Sequence, residues 1–213
     1  KWDFNPTPTE LISLTAFYKL IKNPISRIEV ASAGGYLSYE NIADKATVAG
    51  VEVEVRKNLF VRPLSSAANG MNKLSFGLNG SYIYTNAKMP LATVTTGSQL
   101  EGAAPWIANF DLSHNFTKGN HSFINTLVFN YVSDKIYTIG TQGYQDIIEQ
   151  GMMTLDFVSQ AKLNKYVSLT LKARNLLNPS YKLSRKANES GEKVVLSDYK
   201  KGINISLGVS CTF

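Results

Sequence analysis

Length, composition and charge exclude several classes of protein before any motif is considered. The chain has 213 residues, and its 18% of charged residues falls below the ~25% that is typical of soluble domains. The net charge is +6, but the basic residues form no stripe, so a nucleic-acid partner is not expected. The single cysteine, Cys211, excludes an intrachain disulfide, and no apolar run approaches the ~20 residues of a membrane helix.

Apolar and polar residues alternate with period two along most of the chain, which predicts strands with one apolar and one polar face. Residues 1–5 are interpreted as the end of a strand, and residues 11–22 form the first long alternating segment. The other alternating segments are 51–56, 74–85, 106–115, 122–138, 153–163, 167–174 and 203–213. No segment has a convincing helical period, so the prediction is an all-β fold of about eight strands, antiparallel because several connections are short.

The connections between the predicted strands alternate in length, and this alternation indicates the kind of sheet. Short turns are predicted near 5–9, 117–120 and 164–165, and long loops near 31–46, 87–101, 139–151 and 179–201. The connection at 58–72 falls on the side of the short turns and is the exception to this alternation in length. Tight turns at one end and long loops at the other are typical of an up-and-down transmembrane β-barrel, with its apolar face toward lipid. A soluble β-sandwich or ligand-binding β-barrel, with its apolar face inward, is the alternative because its strands also alternate.

The last strand has the strictest alternation in the chain. Every odd position from Ile203 to Phe213 is apolar, and every even position is small or polar. Domain termini usually fray into disordered residues, whereas this strand stays apolar on one face up to its last residue. The pattern predicts a terminus that is held in a sheet facing lipid.

Three segments, in this order along the chain, resemble a known family. Residues 14–25 read LTAFYKLIKNPI, residues 50–57 read GVEVEVRK, and residues 172–178 read KARNLLN with Tyr181 after them. On these motifs the chain resembles the carboxy-terminal part of the barrel of TonB-dependent outer-membrane receptors. The terminal Phe213 is similar to the aromatic residue that the barrel-assembly machinery reads as an insertion signal.

The resemblance implies an architecture, a location and a function. Residues 1–213 would be the carboxy-terminal portion of a barrel of about 22 strands, with the plug domain absent from this sequence. The implied function is energised import of a scarce nutrient, such as a metal chelate or a glycan, across a gram-negative outer membrane. The implied partners are outer-membrane lipid, the TonB system through the plug domain, the assembly machinery through the terminal strand, and the imported small molecule. A complete small eight-strand barrel of porin or adhesion type is the alternative in the same membrane.

The residue inventory does not point to an enzyme. His114 and His121 flank one turn, and His114 is in phase with an apolar face, which favours a position at the membrane interface. Two histidines and one cysteine far apart make no metal-ligand pattern, and no nucleophile elbow or phosphate-binding loop occurs. Asp111 and Asp156 are interpreted as solvated carboxylates of the lumen. We therefore expect no catalytic residue, no metal site and no cofactor.

Ligand contacts are expected in the long loops and on the adjoining lumen wall, without assignment to single residues. The candidate loop tips are residues 144–146 and residues 182–201. Five charged residues on the polar faces are candidates for contact with the plug domain, or for pairing only with water and with each other. They are Glu52, Glu54, Arg56, Lys172 and Arg174.

Overall fold

The computed structural model describes residues 1–30, 35–64, 70–88, 99–187 and 191–212, and it consists of antiparallel strands. The described residues contain no helix that is long and apolar enough to cross a membrane. The strands are β1 (Trp2–Phe4), β2 (Leu11–Lys22), β3 (Ile25–Glu29), β4 (Leu37–Asn41), β5 (Lys45–Leu64), β6 (Gly70–Lys88), β7 (Trp106–Lys118), β8 (His121–Val132), β9 (Lys135–Thr138), β10 (Ile147–Glu149), β11 (Met152–Lys162), β12 (Val167–Arg174), β13 (Ser180–Lys186), β14 (Lys193–Lys200) and β15 (Asn204–Cys211).

Nine of these strands form one sheet, which we call the main sheet. Its order is β1-β2-β5-β6-β7-β8-β11-β12-β15. Each strand therefore pairs with the strands of this sheet that come before and after it along the chain. All of the pairings are antiparallel. The up-and-down topology is therefore confirmed, including β1 at residues 2–4 and the pairing of the terminal strand with β12.

The cross-strand register brings the apolar positions of all nine strands to one face of the main sheet. One row of directly opposed residues runs through Ala16, Val51, Tyr82 and Trp106. Directly opposed residues point to the same side of a sheet, so the apolar face is continuous. Leu207 and Val209 on this face are 71% and 63% exposed, whereas a soluble barrel with an inward apolar face requires such residues to be buried.

The long loops predicted at residues 31–46, 139–151 and 179–201 contain further strands, which corrects the prediction of irregular loops. Residues of β3 and β4 form a hairpin, and β9, β10, β13 and β14 form a four-stranded sheet. The predicted strand 51–56 is also longer, because β5 extends to Leu64 past a register shift between Asn58 and Phe60. Register shifts in the pairing of β5, β10 and β13 interrupt the simple alternation of apolar and polar residues in these segments.

The largest described hydrophobic core lies at the end of the molecule that carries the long connections, which we call the loop end. Ile28, Ile42, Ile136 and Ile139 are buried there, with Ile148 packed against them. The β3–β4 hairpin reaches β9 across this end, where Ile28 forms a parallel bridge with Ile139. The Ile139 N–H donates to the Arg27 carbonyl at 3.0 Å. The loop end is thus packed in layers, whereas the main sheet is a single layer.

Candidate ligand-binding site

The polar face of the main sheet carries a ladder of uncharged side chains across its centre. Asn79, Asn109, Asn130 and Thr154 are directly opposed in successive strands. The Asn109 amide donates to Asn79 at 3.4 Å, and the Asn130 amide donates to Thr154 at 3.1 Å. The ladder continues to Glu54, opposite Asn79, so the predicted lumenal carboxylate lies on the polar face. This face is chemically a hydrophilic wall.

Arg56 and Asp111 lie on either side of Gly77, one row nearer the short turns. A Cβ atom at Gly77 would lie 2.2 Å from the Asp111 carboxylate, so the absence of a side chain lets this carboxylate lie over the strand. Arg56 pairs with Glu54 at 2.7 Å. A polar cavity of about 330 Å³ opens beside Arg56, Lys73 and Asp111. The predicted charged residues of this region are therefore grouped, and they border a space that faces the lumen.

A second cavity, of about 400 Å³, lies on the polar side of β11, β12 and β15 where these strands approach the loop end. We call it the loop-end cavity. It brings together Asp156 and Arg174, which were predicted as lumenal residues, with Tyr181 and Lys201. Its remaining lining residues are Met152, Thr154, Asn175, Pro179, Gly202 and Asn204. Two cations, one carboxylate and a phenol converge here, which makes it the best candidate for a ligand site on this chain.

Three hydrogen bonds fix the backbone beside the loop-end cavity. The Asn175 N–H donates to Asp156 at 2.8 Å, and the Asn175 amide donates to the Gly202 carbonyl at 2.7 Å. The Gly202 N–H donates to the Asn178 side chain at 3.1 Å. Asn175, Asn178 and Gly202 all have positive φ, at 59°, 44° and 83°, a conformation that Asn and Gly tolerate best. The NLLN motif therefore turns the chain out of β12 and positions the cavity wall.

Tyr181 is the aromatic element of the loop-end cavity. Burial, together with the nearby Glu149 carboxylate, raises the pKa of Tyr181 to about 12, so its hydroxyl stays protonated at neutral pH. Its ring centroid lies 5.1 Å from that of Tyr199, and the Lys201 ammonium lies 5.3 Å from the Tyr181 ring centroid. The loop-end cavity thus combines an aromatic ring with the guanidinium of Arg174 among its lining groups. Such a set can bind an anionic or a polyhydroxylated small molecule.

Two ion pairs connect separate segments of the loop end. Arg27 donates to Glu101 at 2.9 Å and stacks on Tyr137 with its guanidinium carbon 4.1 Å from the ring centroid. Glu29 pairs with Arg185 across 156 residues of sequence. These contacts join β3 to the 99–105 segment and to β13, which local sequence patterns could not predict.

The two loop tips predicted to bind ligand have different surroundings. In the first, Asp146 accepts a hydrogen bond from the Gly140 N–H at 2.8 Å, and the ring of Tyr144 lies 5.5 Å from the Arg185 guanidinium carbon. Most of residues 182–201 forms the β13–β14 hairpin, in which Lys182 pairs with Asp198 at 3.0 Å and lowers the pKa of Asp198. Only the end of this segment reaches the cavity.

Other singled-out residues lie apart from the loop-end cavity. His114 lies on the apolar face near the short turns and is 2.8 Å from the side chain of Asn72. Cys211 is exposed at the end of β15. Phe213 lies outside the described residues. Within the described part of the chain, no group of three or more His, Cys, Asp or Glu side chains could hold a metal ion.

A meander of long antiparallel strands with one apolar and one polar face forms part of the wall of a transmembrane β-barrel. The family model described as TonB dependent receptor-like, beta-barrel matches residues 1–176, and the chain belongs to this family. Its members are outer-membrane transporters, not enzymes. No curated protein and no solved structure matched the chain in the parallel comparisons.

Proposed function

We propose that the chain is the carboxy-terminal part of a TonB-dependent receptor barrel that imports a scarce nutrient across the outer membrane of a gram-negative bacterium. The observation that carries the proposal is the loop-end cavity, which adjoins the lumenal face of a barrel wall in a transporter family. In such barrels the long connections lie outside the cell. A ligand arriving from outside the cell would then reach the loop-end cavity before it reaches the centre of the lumen.

The charge of the cavity favours an anionic metal chelate as the nutrient. Arg174 and Lys201 supply two cations against the single carboxylate of Asp156, which also accepts the Asn175 N–H. The aromatic rings of Tyr181 and Tyr199, which are tilted by 42° to each other, favour the second candidate, a glycan, because a sugar ring binds well on an aromatic face. Energy would come from the TonB system acting through a plug domain, for which Glu52 and Arg56 are candidate contacts on the lumenal wall.

The test uses the natural full-length protein that carries this chain, expressed in its host. The double variant Arg174→Gln, Lys201→Gln should reduce uptake at least tenfold, measured with each of a panel of ferric chelates as sole iron source and oligosaccharides as sole carbon source. The control variant Lys118→Gln, Lys165→Gln removes two exposed cations near the short turns and should leave uptake within twofold. Wild-type uptake by the double variant on every nutrient that requires the protein would contradict the proposed site. Recovery of the protein outside the outer-membrane fraction would contradict the proposed function.

We further propose that the terminal strand is read by the barrel-assembly machinery, with Phe213 as the signal. The support is the strict alternation of β15, whose apolar residues are exposed up to the end of the strand. Deletion of Phe213 from the full-length protein should lower its folded amount in the outer membrane severalfold, and Phe213→Tyr should restore it. Unchanged insertion after the deletion would exclude this role.

A further inference from the structure

Four polar side chains lie together on the apolar face of the main sheet. His114 in β7 is directly opposite Asn125 in β8, and Asn125 is directly opposite Ser159 in β11. Asn72 in β6 completes the set, because its Oδ1 lies 2.8 Å from Nε2 of His114. We call these four residues the amide cluster. They share a face with aliphatic residues such as Leu127, two positions from Asn125 in β8.

The amide cluster lies within the height of the apolar band of a barrel. His114 is four residues before the end of β7 at Lys118, which is roughly 13 Å along a strand and about 10 Å in depth at the strand tilt of a barrel. The directly opposed rings of Phe116 and Phe123 lie between the cluster and the turn, with centroids 6.5 Å apart. On the face that the proposed function places against lipid, hydrocarbon would therefore surround the cluster.

The amide cluster has hydrogen-bonding groups that hydrocarbon cannot satisfy. The Ser159 hydroxyl donates to Oδ1 of Asn125 at 2.7 Å, so the two amide oxygens of the cluster have partners. The amino groups of Asn72 and Asn125 each carry two N–H donors, and they have no partner among the described residues. Both amino groups are open to the surface of the sheet. Lipid tails offer no acceptor there, whereas a protein partner in the membrane does.

A groove lies on the same strands, on the side of the amide cluster that points to the loop end. It has a volume of about 430 Å³, and the directly opposed Gly80 and Ala108 form its floor. Tyr82 and Trp106 stand beside the floor with ring centroids 4.5 Å apart. Ala108 and His114 are six residues apart in β7, which corresponds to roughly 20 Å along the strand. Small residues in a membrane interface let a facing surface approach closely.

The orientation of proteins in a membrane selects a second copy of the chain as the partner. All copies of one barrel have their short turns on the same side of the membrane, so a two-fold axis between two copies runs along the membrane normal. Each residue then meets its partner's surface at its own depth, and the amide cluster meets itself. Its amide, hydroxyl and imidazole groups both donate and accept, and it contains no Asp, Glu, Lys or Arg. Self-pairing therefore brings no like charges together.

We infer that the full-length protein forms a two-fold dimer through the apolar face of β6, β7, β8 and β11. The amide clusters of the two copies hydrogen-bond to each other, and Trp106, which is 56% exposed, enters the groove of the other copy. The inference rests on the proposed outer-membrane location, since only lipid surroundings leave the amide N–H groups without acceptors. The loop-end cavity lies on the opposite face of the sheet, so each copy keeps its own candidate ligand site.

The first experiment measures the oligomeric state of the natural full-length protein by native mass spectrometry in mild detergent. The wild-type protein should be a dimer. The variant Asn72→Leu, Asn125→Leu removes both unpaired amino groups and should lower the association constant at least tenfold. The control variant Thr47→Val, Asn86→Leu makes the same kind of change at an opposed pair on the apolar face near the loop end, and it should dimerise within twofold of wild type. Both variants replace polar by apolar residues on a lipid-facing surface, so both should fold.

The second experiment tests the contact in isolated outer membranes by oxidative cross-linking with copper phenanthroline. Leu127→Cys, in a background with Cys211→Ser and no other cysteine, should give a disulfide-linked dimer. Leu207→Cys in the same background lies on the apolar face of β15 and should remain a monomer.

A wild-type protein that is monomeric in both experiments, or a dimer that the amide-cluster variant leaves unchanged, would overturn the inference. A monomer that carries a bound phospholipid, lost in the amide-cluster variant, would also overturn it and would assign the cluster to a lipid headgroup. A monomer that resides in the outer membrane and imports its nutrient leaves the proposed function intact, whereas a protein outside that membrane contradicts both.

Discussion

Leu207 in the terminal strand and Ile139 at the loop end are both large aliphatic residues, but their surroundings are opposite. Leu207 is 71% exposed on the apolar face of the main sheet, and Ile139 is 1% exposed in a core of four isoleucines. The main sheet is held by antiparallel backbone pairing along strands of up to 20 residues, and its apolar face needs lipid to remove it from water. The loop end instead buries its own apolar side chains, as a soluble domain does.

This difference shows that two kinds of stability coexist in one chain. The main sheet depends on backbone hydrogen bonds and on the bilayer, and single apolar side chains on its outer face leave no cavity when they are shortened. The loop end depends on a small number of packed residues and ion pairs, so single substitutions there have large effects. Tyr181 of β13 belongs to the loop end and lines the candidate ligand site, so the stability of the loop end bears on the shape of this site.

The largest expected effect is that of Ile139→Ala. Removing this buried side chain should destabilise the loop end by about 2–5 kcal/mol, because both transfer free energy and a cavity are involved. Hydrogen exchange of the Glu29 and Ile139 amides, whose hydrogen bonds join β3 to the residue after β9, measures this effect locally. The matched variant Leu207→Ala in detergent should change stability by about 0.5 kcal/mol or less. Equal effects of the two variants would contradict the division into two regions.

Breaking the Arg27–Glu101 pair is the next largest perturbation. Arg27→Ala leaves the Glu101 carboxylate, 16% exposed, without its partner. We expect the loop end to lose about 2 kcal/mol of stability, which is less than the roughly 3–5 kcal/mol expected when a fully buried ion pair is broken. Arg56→Ala is the control, since the Arg56 side chain is 68% exposed and its pair with Glu54 should contribute about 0–1 kcal/mol. The two variants are compared by urea unfolding in detergent, with the loop-end amides as the probe. A larger loss of stability for Arg56→Ala than for Arg27→Ala would contradict the expected order.

Asn175→Ala tests whether the NLLN motif acts through backbone geometry. The variant loses the hydrogen bond to the Gly202 carbonyl and places alanine at a φ of 59°, so we expect a cost of about 1–2 kcal/mol. Asn175→Gly relieves the backbone strain but still lacks the amide, and it should lie between the wild type and the alanine variant. Protection of the Gly202 amide against hydrogen exchange measures this loss of stability. An alanine variant that matches the glycine variant would show that the hydrogen bond alone matters.

The main sheet could be predicted from the sequence because period-two alternation is a local signal. The segments 11–22, 106–115 and 167–174 fall on strands of the observed sheet, and β15 covers residues 204–211 of the predicted segment 203–213. The loop end could not be predicted in the same way. Its strands contain register shifts or mixed sequence patterns, as in the KVVLSDYK sequence of β14, and its ion pairs join residues 74 and 156 positions apart. Such contacts are set by the fold as a whole.

The candidate site was only partly predictable for a related reason. Asp156 and Arg174 follow from alternation, because Asp156 occupies a polar position within β11 and Arg174 is the last residue of β12. Tyr181 and Lys201 approach them only because the chain turns at Asn175, Asn178 and Gly202 with positive φ. The NLLN motif was visible in the sequence, but its consequence for the cavity depends on where Gly202 lies in space.

The smallest expected effect is a pH dependence of the loop end that appears only in strong alkali. The pKa of Tyr181 is raised by burial to about 12, above its ordinary value of 10.0, so the folded form keeps this proton longer than the unfolded form. Its contribution to stability is therefore constant below pH 10 and is lost as the pH rises toward 12. Tyr181→Phe should remove this part of the alkaline loss. Phenolate absorbance, compared between wild type and Tyr181→Phe, should show one tyrosine titrating near pH 12 in the folded protein and near pH 10 in guanidinium. A titration near pH 10 in the folded protein would mean that Tyr181 is fully hydrated, and that the loop-end cavity does not enclose its hydroxyl.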